Sequence, residues 1–258
     1  IRRLNTLQAY AALHPSAPPA FALSRLMKDA FANLLIKTED MKMTETERLI
    51  AKDLLGIKAV FFRPDEPFTW ASGIKSPIYC DNRLILTAPK QRVIIEKAIA
   101  DTVKTEYPDC EVLMGTSTAG IAHATIAASI LDMPMGYVRS SSKDHGRQNR
   151  IEGKLEKGQK VVVIEDLIST GGSVIDVVEA LREAGAEVLG IVSIFTYGMK
   201  KGIEKLAAAD VKNVSLTNLD VIAKVAAETG YIAESDIEKV LKFRDNPSDE
   251  SWIGKARG

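Results

Sequence analysis

Apolar and polar positions fall into two alternating rhythms along most of this chain. Leu49, Ile50, Leu54 and Leu55 recur at helical spacing and predict a helix over Glu45–Leu55. Phe61–Leu86 reads as a β-rich segment with turns at Ser72-Gly73 and Ser76-Pro77, and Pro89–Tyr107 as a helix. Strands at Glu111–Gly115, Met135–Arg139, Lys160–Asp166 and Val188–Phe195 then alternate with helices at Ala119–Leu131 and Ser173–Ala184. A strand at Val214–Leu216 and helices near Leu219–Glu228 and Ser235–Phe243 complete the pattern. Such alternation predicts an α/β fold, with helices flanking a mostly parallel sheet whose crossovers are right-handed. No repeat or low-complexity linker divides the chain, so residues 43–250 read as one domain and 251–258 as a tail.

The first 42 residues break the rhythm. Ile1 to Lys28 carries Arg2, Arg3, Arg25 and Lys28 with no acid before Asp29, and Pro15, Pro18 and Pro19 interrupt it. That composition is similar to an organellar transit peptide. The preferred reading is an upstream extension, because Met41 and Met43 both suit a start.

Composition narrows the classes. Of 258 residues, 46% are hydrophobic and 26% charged, ordinary values for a globular protein. Lys plus Arg and Asp plus Glu are both 34, so no global basic field draws nucleic acid, and any anion site must be local. Cys80 and Cys110 make neither a disulfide framework nor a metal-ligand spacing, which favours a reduced, cytoplasmic setting. No apolar run approaches the roughly 18 residues that span a bilayer.

The most informative stretch is Val161-Val162-Val163-Ile164-Glu165-Asp166-Leu167-Ile168-Ser169-Thr170-Gly171-Gly172-Ser173. Four apolar residues read as a buried parallel strand, two acids follow near its carboxyl end, and hydroxyls and glycines lead into a helix. Ligands of open α/β sheets bind outside the carboxyl ends of strands. A Gly-rich turn into a helix offers N–H groups to a phosphate. The acids suit sugar hydroxyls and any Mg²⁺ nearby. The Gly-x-x-x-x-Gly-Lys phosphate loop does not occur in the chain. The plainer alternative is a capped helix without a ligand, since Ser173 and Asp176 match a capping box.

Two further stretches carry chemistry. Ser140 to Arg150 is polar, and together with Arg139 it gathers Lys143, His145, Arg147 and Arg150 into a cationic cluster. It reads either as a solvated surface loop or as a lid that brings cations to an anionic ligand. Of the other histidines, His14 lies in the extension and His123 in an apolar helix, where packing is the simpler role. Phe68 to Arg83 combines aromatic faces, a tight turn and the cation Lys75. It reads as a hairpin whose aromatics either pack inward or stack on a flat ligand.

In this order the three stretches resemble the type I phosphoribosyltransferases, and among them the orotate phosphoribosyltransferases. Glu165 to Ser173 resembles the phosphoribosyl pyrophosphate (PRPP) signature. Arg139-x-x-x-Lys143-Asp144-His145-Gly146 resembles the catalytic loop, and the order Phe68…Ser72-Gly73…Ser76-Pro77-x-Tyr79 resembles the N-terminal hood. The resemblance covers Met43 to the last helix. It implies the type I phosphoribosyltransferase fold, a small β-rich hood, and transfer of phosphoribose to orotate. Glu165 and Asp166 would hold the ribose 2′- and 3′-hydroxyls, and Ser169 to Ser173, with Leu167 and Ile168 before them, the 5′-phosphate. Arg139, Lys143, Asp144 and His145 would serve the pyrophosphate in the other subunit's site of a homodimer. Tyr79, Lys75 and Ser169 would meet orotate, and Mg²⁺ would be held mainly through PRPP, with no protein cage. The chain departs from the family at Ser140, Ala71 and Thr118-Ala119, and at Thr196, where some members carry cations or a Tyr-Lys pair. Arg147 or Arg150 would compensate for the cation absent at Ser140. A purine phosphoribosyltransferase and a PRPP-sensing regulator are the rival readings; the hood disfavours the first, and the lack of a helix-turn-helix the second.

Overall fold

Helix α1 (Glu45–Gly56) starts at a reciprocal cap. The Thr44 hydroxyl accepts from the Glu47 N–H at 3.1 Å, and the Thr44 N–H donates to Glu47 Oε2 at 2.8 Å. Two N–H groups that a helix start leaves open are thereby satisfied. Ile50, Ala51, Leu54 and Leu55 form the buried face. Leu49, expected on that face, is 46% exposed, because the buried stripe centres one position further round the helix. The computed structural model describes residues 43–70, 72–140 and 150–253. Residues 1–42, Ala71, 254–258 and the loop positions Lys143, Asp144, His145 and Arg147 lie outside the described residues.

Two short ribbons follow α1. Strand β1 (Val60–Phe62) pairs antiparallel with β4 (Ile78–Cys80), and β2 (Phe68–Thr69) with β3 (Lys75–Ser76). A 3-10 helix (Asn82–Thr87) and α2 (Pro89–Glu106) lead into β5 (Val112–Thr116), α3 (Ala119–Leu131), β6 (Met135–Val138) and β7 (Ile151–Glu152). Next come β8 (Lys160–Ile168), α4 (Gly172–Glu183), β9 (Glu187–Thr196), α5 (Lys200–Ala208), β10 (Asn213–Asn218), α6 (Leu219–Glu228) and α7 (Glu234–Asp245).

The main sheet has the order β10-β9-β8-β5-β6-β7 and is parallel except where β7 pairs with β6. Val161 to Ile164 are wholly buried in β8, between β5 and β9, as a continuous apolar run in a covered parallel sheet should be. Val161 and Val163 face the core cluster that includes Val174, Val177, Val178 and Leu181 of α4. Helix α3 packs on β5, β6, β8 and α2. Strand β8 continues two residues beyond its predicted end, pairing Leu167 with Phe195 and Ile168 with Thr196. The sequence pattern does not predict α5, because Gly202 interrupts its apolar positions and Gly198 stands just before it. Among the described residues no helix is long and apolar enough to cross a membrane.

The chain leaves β5 toward β6, then returns to β8 on the other side of β5. The carboxyl ends of β5 and β8 therefore flank the point where strand order reverses, which is where a parallel α/β sheet opens a crevice for ligand.

Candidate functional site

The last residue of β5 meets the acid pair in that crevice. Thr116 Oγ1 donates to Glu165 Oε1 at 2.8 Å, and the Asp166 N–H donates to the same oxygen at 2.9 Å. Glu165 is only 5% exposed. Burial, then the hydrogen bond and charge of adjacent Asp166, push its carboxyl up to about 8. Asp166 stays partly exposed. The pair thus contains one carboxyl that retains its proton near neutrality beside one open to the crevice. Thr116 was not among the predicted site residues; the hydroxyl run Thr116-Ser117-Thr118 at a strand end was the available signal. Its approach depends on Gly120, where a Cβ would stand 2.4 Å from Thr116 Oγ1 and 2.5 Å from the Ile164 carbonyl oxygen.

The loop after β8 turns through Gly171, whose φ of 73° lies in the left-handed region. Gly172 and Ser173 stand exposed at the start of α4, whose first N–H groups have no helical acceptor. The predicted capping box is not formed: Gly171 is the N-cap, no side chain caps the helix, and Asp176 binds Arg150 instead. Helix α5 supports the loop from beneath. A Cβ on Gly202 would lie 2.6 Å from the Ser169 carbonyl oxygen, so bare backbone is required there. Ser169 and Thr170 are partly exposed, as is Leu167, whereas the side chain of Ile168 is in the core, leaving only its backbone for a ligand.

The hood is tied to the acid pair by Asn82. Its Nδ2 donates to the Asp166 carbonyl at 2.6 Å, and its Oδ1 accepts from the Cys80 thiol at 3.3 Å. Burial, then the charges of Asp166 and Asp81, hold the Cys80 thiol well above its ordinary range, so it stays neutral. Trp70 packs edge-on against Tyr197 at 5.5 Å and Phe243 at 5.7 Å, joining the hood to the end of β9 and to α7. Neighbours alternate along β4: Cys80 turns inward, while Tyr79 is 40% exposed with its ring 5.7 Å from Phe68. Lys75 Nζ donates to Thr69 Oγ1 at 2.6 Å across the β2–β3 ribbon. Asn82 and Trp70 carried no local signal of these contacts.

Arg139 follows β6 and pairs with Glu152 at 3.3 Å. The Arg150 guanidinium is engaged by Asp176 and by the Arg139 carbonyl, so it does not supply the cation missing at Ser140. Thr196 Oγ1 accepts from the Gly198 N–H at 3.1 Å and so shapes the turn after β9. His123 is fully buried, with Nδ1 2.6 Å from Glu96 Oε1, the packing role expected of it.

The phosphoribosyl transferase domain family matches residues 84–228. An orotate phosphoribosyltransferase of Bacillus cereus (strain G9842) is 58% identical over 204 residues, covering 79% of this chain and 97% of the relative. The crystal structure of orotate phosphoribosyltransferase from Aeropyrum pernix superposes with a TM-score of 0.62 at 29% identity, covering 71% of this chain and 99% of that one. The structure of Leishmania donovani UMP synthase gives a TM-score of 0.67 at 24% identity, a likeness of fold. It covers 88% of this chain, which spans 47% of that protein.

Proposed function

The chain belongs to the orotate phosphoribosyltransferases, within the phosphoribosyl transferase domain family, and on that ground we propose that it transfers the 5-phosphoribosyl group of PRPP to orotate. The products are orotidine 5′-monophosphate and pyrophosphate, in pyrimidine nucleotide synthesis. The observation that carries this reading is the Glu165–Asp166 pair at the switch point of the sheet, one short loop before the start of α4.

The bond from C1′ to the pyrophosphate oxygen breaks, its electron pair leaves with pyrophosphate, and an orotate ring nitrogen, its proton given up to solvent or to the departing pyrophosphate, forms the new bond from the opposite face. Asp166 and Glu165 bind the ribose hydroxyls beside a C1′ that becomes cationic. The N–H groups and hydroxyls of Ser169 to Ser173 bind the 5′-phosphate. Arg139, Lys143 and His145, with Asp144 among them, meet the pyrophosphate in the neighbouring site of a homodimer. Tyr79 offers a ring face to orotate, with Lys75 and Ser169 beside it. Catalysis is positioning and electrostatics, without a covalent enzyme intermediate. The partly exposed Asp166 offers the hard oxygen that Mg²⁺ prefers. Mg²⁺ carried on PRPP would neutralise charge on the leaving group. A cytoplasmic setting belongs to the same reading.

The test follows orotate absorbance with orotate, PRPP and Mg²⁺, for the wild type and a Lys143→Ala variant. Turnover requiring all three components, and falling roughly 10²–10³-fold in the variant, is expected. Turnover with a purine base in place of orotate would overturn the assignment.

A further inference from the structure

Arg150 is an unusual residue to bury. It is 5% exposed, and a guanidinium taken out of water is costly unless its donors are matched. Here they are. Arg150 Nε donates to the Arg139 carbonyl at 2.9 Å. Its two terminal nitrogens donate to Asp176 Oδ1 and Oδ2 at 3.1 and 2.5 Å. In return the Arg139 N–H donates to the Arg150 carbonyl at 2.9 Å. The two residues flanking the charged loop are thereby locked to each other and to α4. Asp176 lies one turn beyond the phosphate-binding end of that helix.

Stability alone is a poor account of this arrangement. Replacing a buried ion pair by apolar groups is often neutral, and Asp176 keeps 50% of its side-chain surface in water while Arg150 keeps 6%. The fork does make a three-point connection that a lysine ammonium would not reproduce, because its donors are planar and fixed in direction.

We infer that Arg150 is a positioning residue for Arg139. It ties the Arg139 backbone to α4, and so fixes the place from which Arg139 reaches the pyrophosphate in the neighbouring site. The inference rests on the role proposed above for Arg139.

The experiment compares the wild type with Arg150→Lys, Asp176→Asn and the double variant Arg150→Met/Asp176→Leu. Steady-state kinetics in both substrates are combined with calorimetric PRPP affinity and melting temperature. The double variant removes both partners and leaves no buried unpaired charge. It is expected to melt near the wild type and keep its KM for orotate, while kcat/KM for PRPP falls roughly 10²-fold, the scale of a 1 Å misplacement. Arg150→Lys keeps the charge but loses the fork, and is expected to show most of that loss. Asp176→Asn, nearly isosteric, gives about tenfold and serves as the readout if the double variant does not fold. The idea is overturned if folded variants keep PRPP kinetics and affinity within about threefold of the wild type. It is also overturned if both substrates' KM values worsen in step with lost stability, or if Arg150→Lys fully restores activity. A wild type inactive on orotate would instead remove the proposed acceptor, and PRPP affinity across the variants would still read the clamp.

Discussion

At the carboxyl end of β8 the groups of the site stand on a strand and on the loop that leads it into a helix; the hood is joined to that frame by contacts made far away in sequence. Glu165 and Asp166 follow Val161 to Ile164 on one strand, and the loop from Ser169 to Gly171 leads straight into α4. The hood's two ribbons have two or three residues per strand and could not persist alone. They depend on Trp70 against Tyr197 and Phe243, and on Asn82 reaching the Asp166 carbonyl. On the proposed function, a phosphate and a ribose would be met by the sheet and its loop, and the base by an attached piece.

The largest effect is expected at the rigid end. Gly202→Val puts side-chain atoms where a Cβ alone would stand 2.6 Å from the Ser169 carbonyl oxygen. We expect about 3 kcal/mol of destabilisation and a rise in the KM for PRPP of roughly 10²-fold; a variant with normal PRPP kinetics would show that the loop is not held by α5.

Glu165→Gln probes the buried acid. The folded-state carboxyl is raised to about 8 from an ordinary 4.5. Between those values the folded protein keeps a proton that the unfolded chain has released, so stability falls as pH rises through this window, by on the order of 1 kcal/mol per pH unit. The glutamine variant has no proton to lose. Urea unfolding from pH 5 to 8 should show a flatter profile for it, and parallel profiles would contradict the shift.

Trp70→Ala acts on the hood. About 2 kcal/mol of stability should go with the half-buried ring, and the KM for orotate should rise while calorimetric PRPP affinity holds. Equal loss for both substrates would erase the division between the two regions. The smallest effect is expected from Lys75→Met: within about 0.5 kcal/mol in urea unfolding, since the hydrogen bond described for its side chain is to Thr69 on the surface. A tenfold rise in orotate KM without a stability change would support a ligand contact.

The same division explains what could be read before folding. The parallel sheet, the acid pair and the glycine loop are local patterns. Val161 to Ile164 announce a covered strand, and the breaks at Gly171 and Gly172 announce the turn. Thr116 and Asn82 lie 49 and 84 residues from their partners Glu165 and Asp166, and no period or motif encodes such a meeting. Asp176 misled for a related reason. Its spacing from Ser173 suits a cap, but a buried arginine from another element competes better for a carboxylate than a backbone N–H does.

The attachment of the hood has a kinetic consequence. Because its short ribbons are held by side-chain contacts, among them the Trp70 cluster, the Asn82 bond, the Phe62–Tyr231 ring contact and the Asp65–Lys239 ion pair, they should open together, as a cooperative unit of lower free energy than the sheet. A base lodged beneath would close that opening by mass action. Deuterium uptake at the amides of Val60–Phe62 and Ile78–Cys80 would then slow in proportion to occupancy, while β8 exchanges at its own unchanged rate. The hood becomes a built-in reporter of base residence, read without any label.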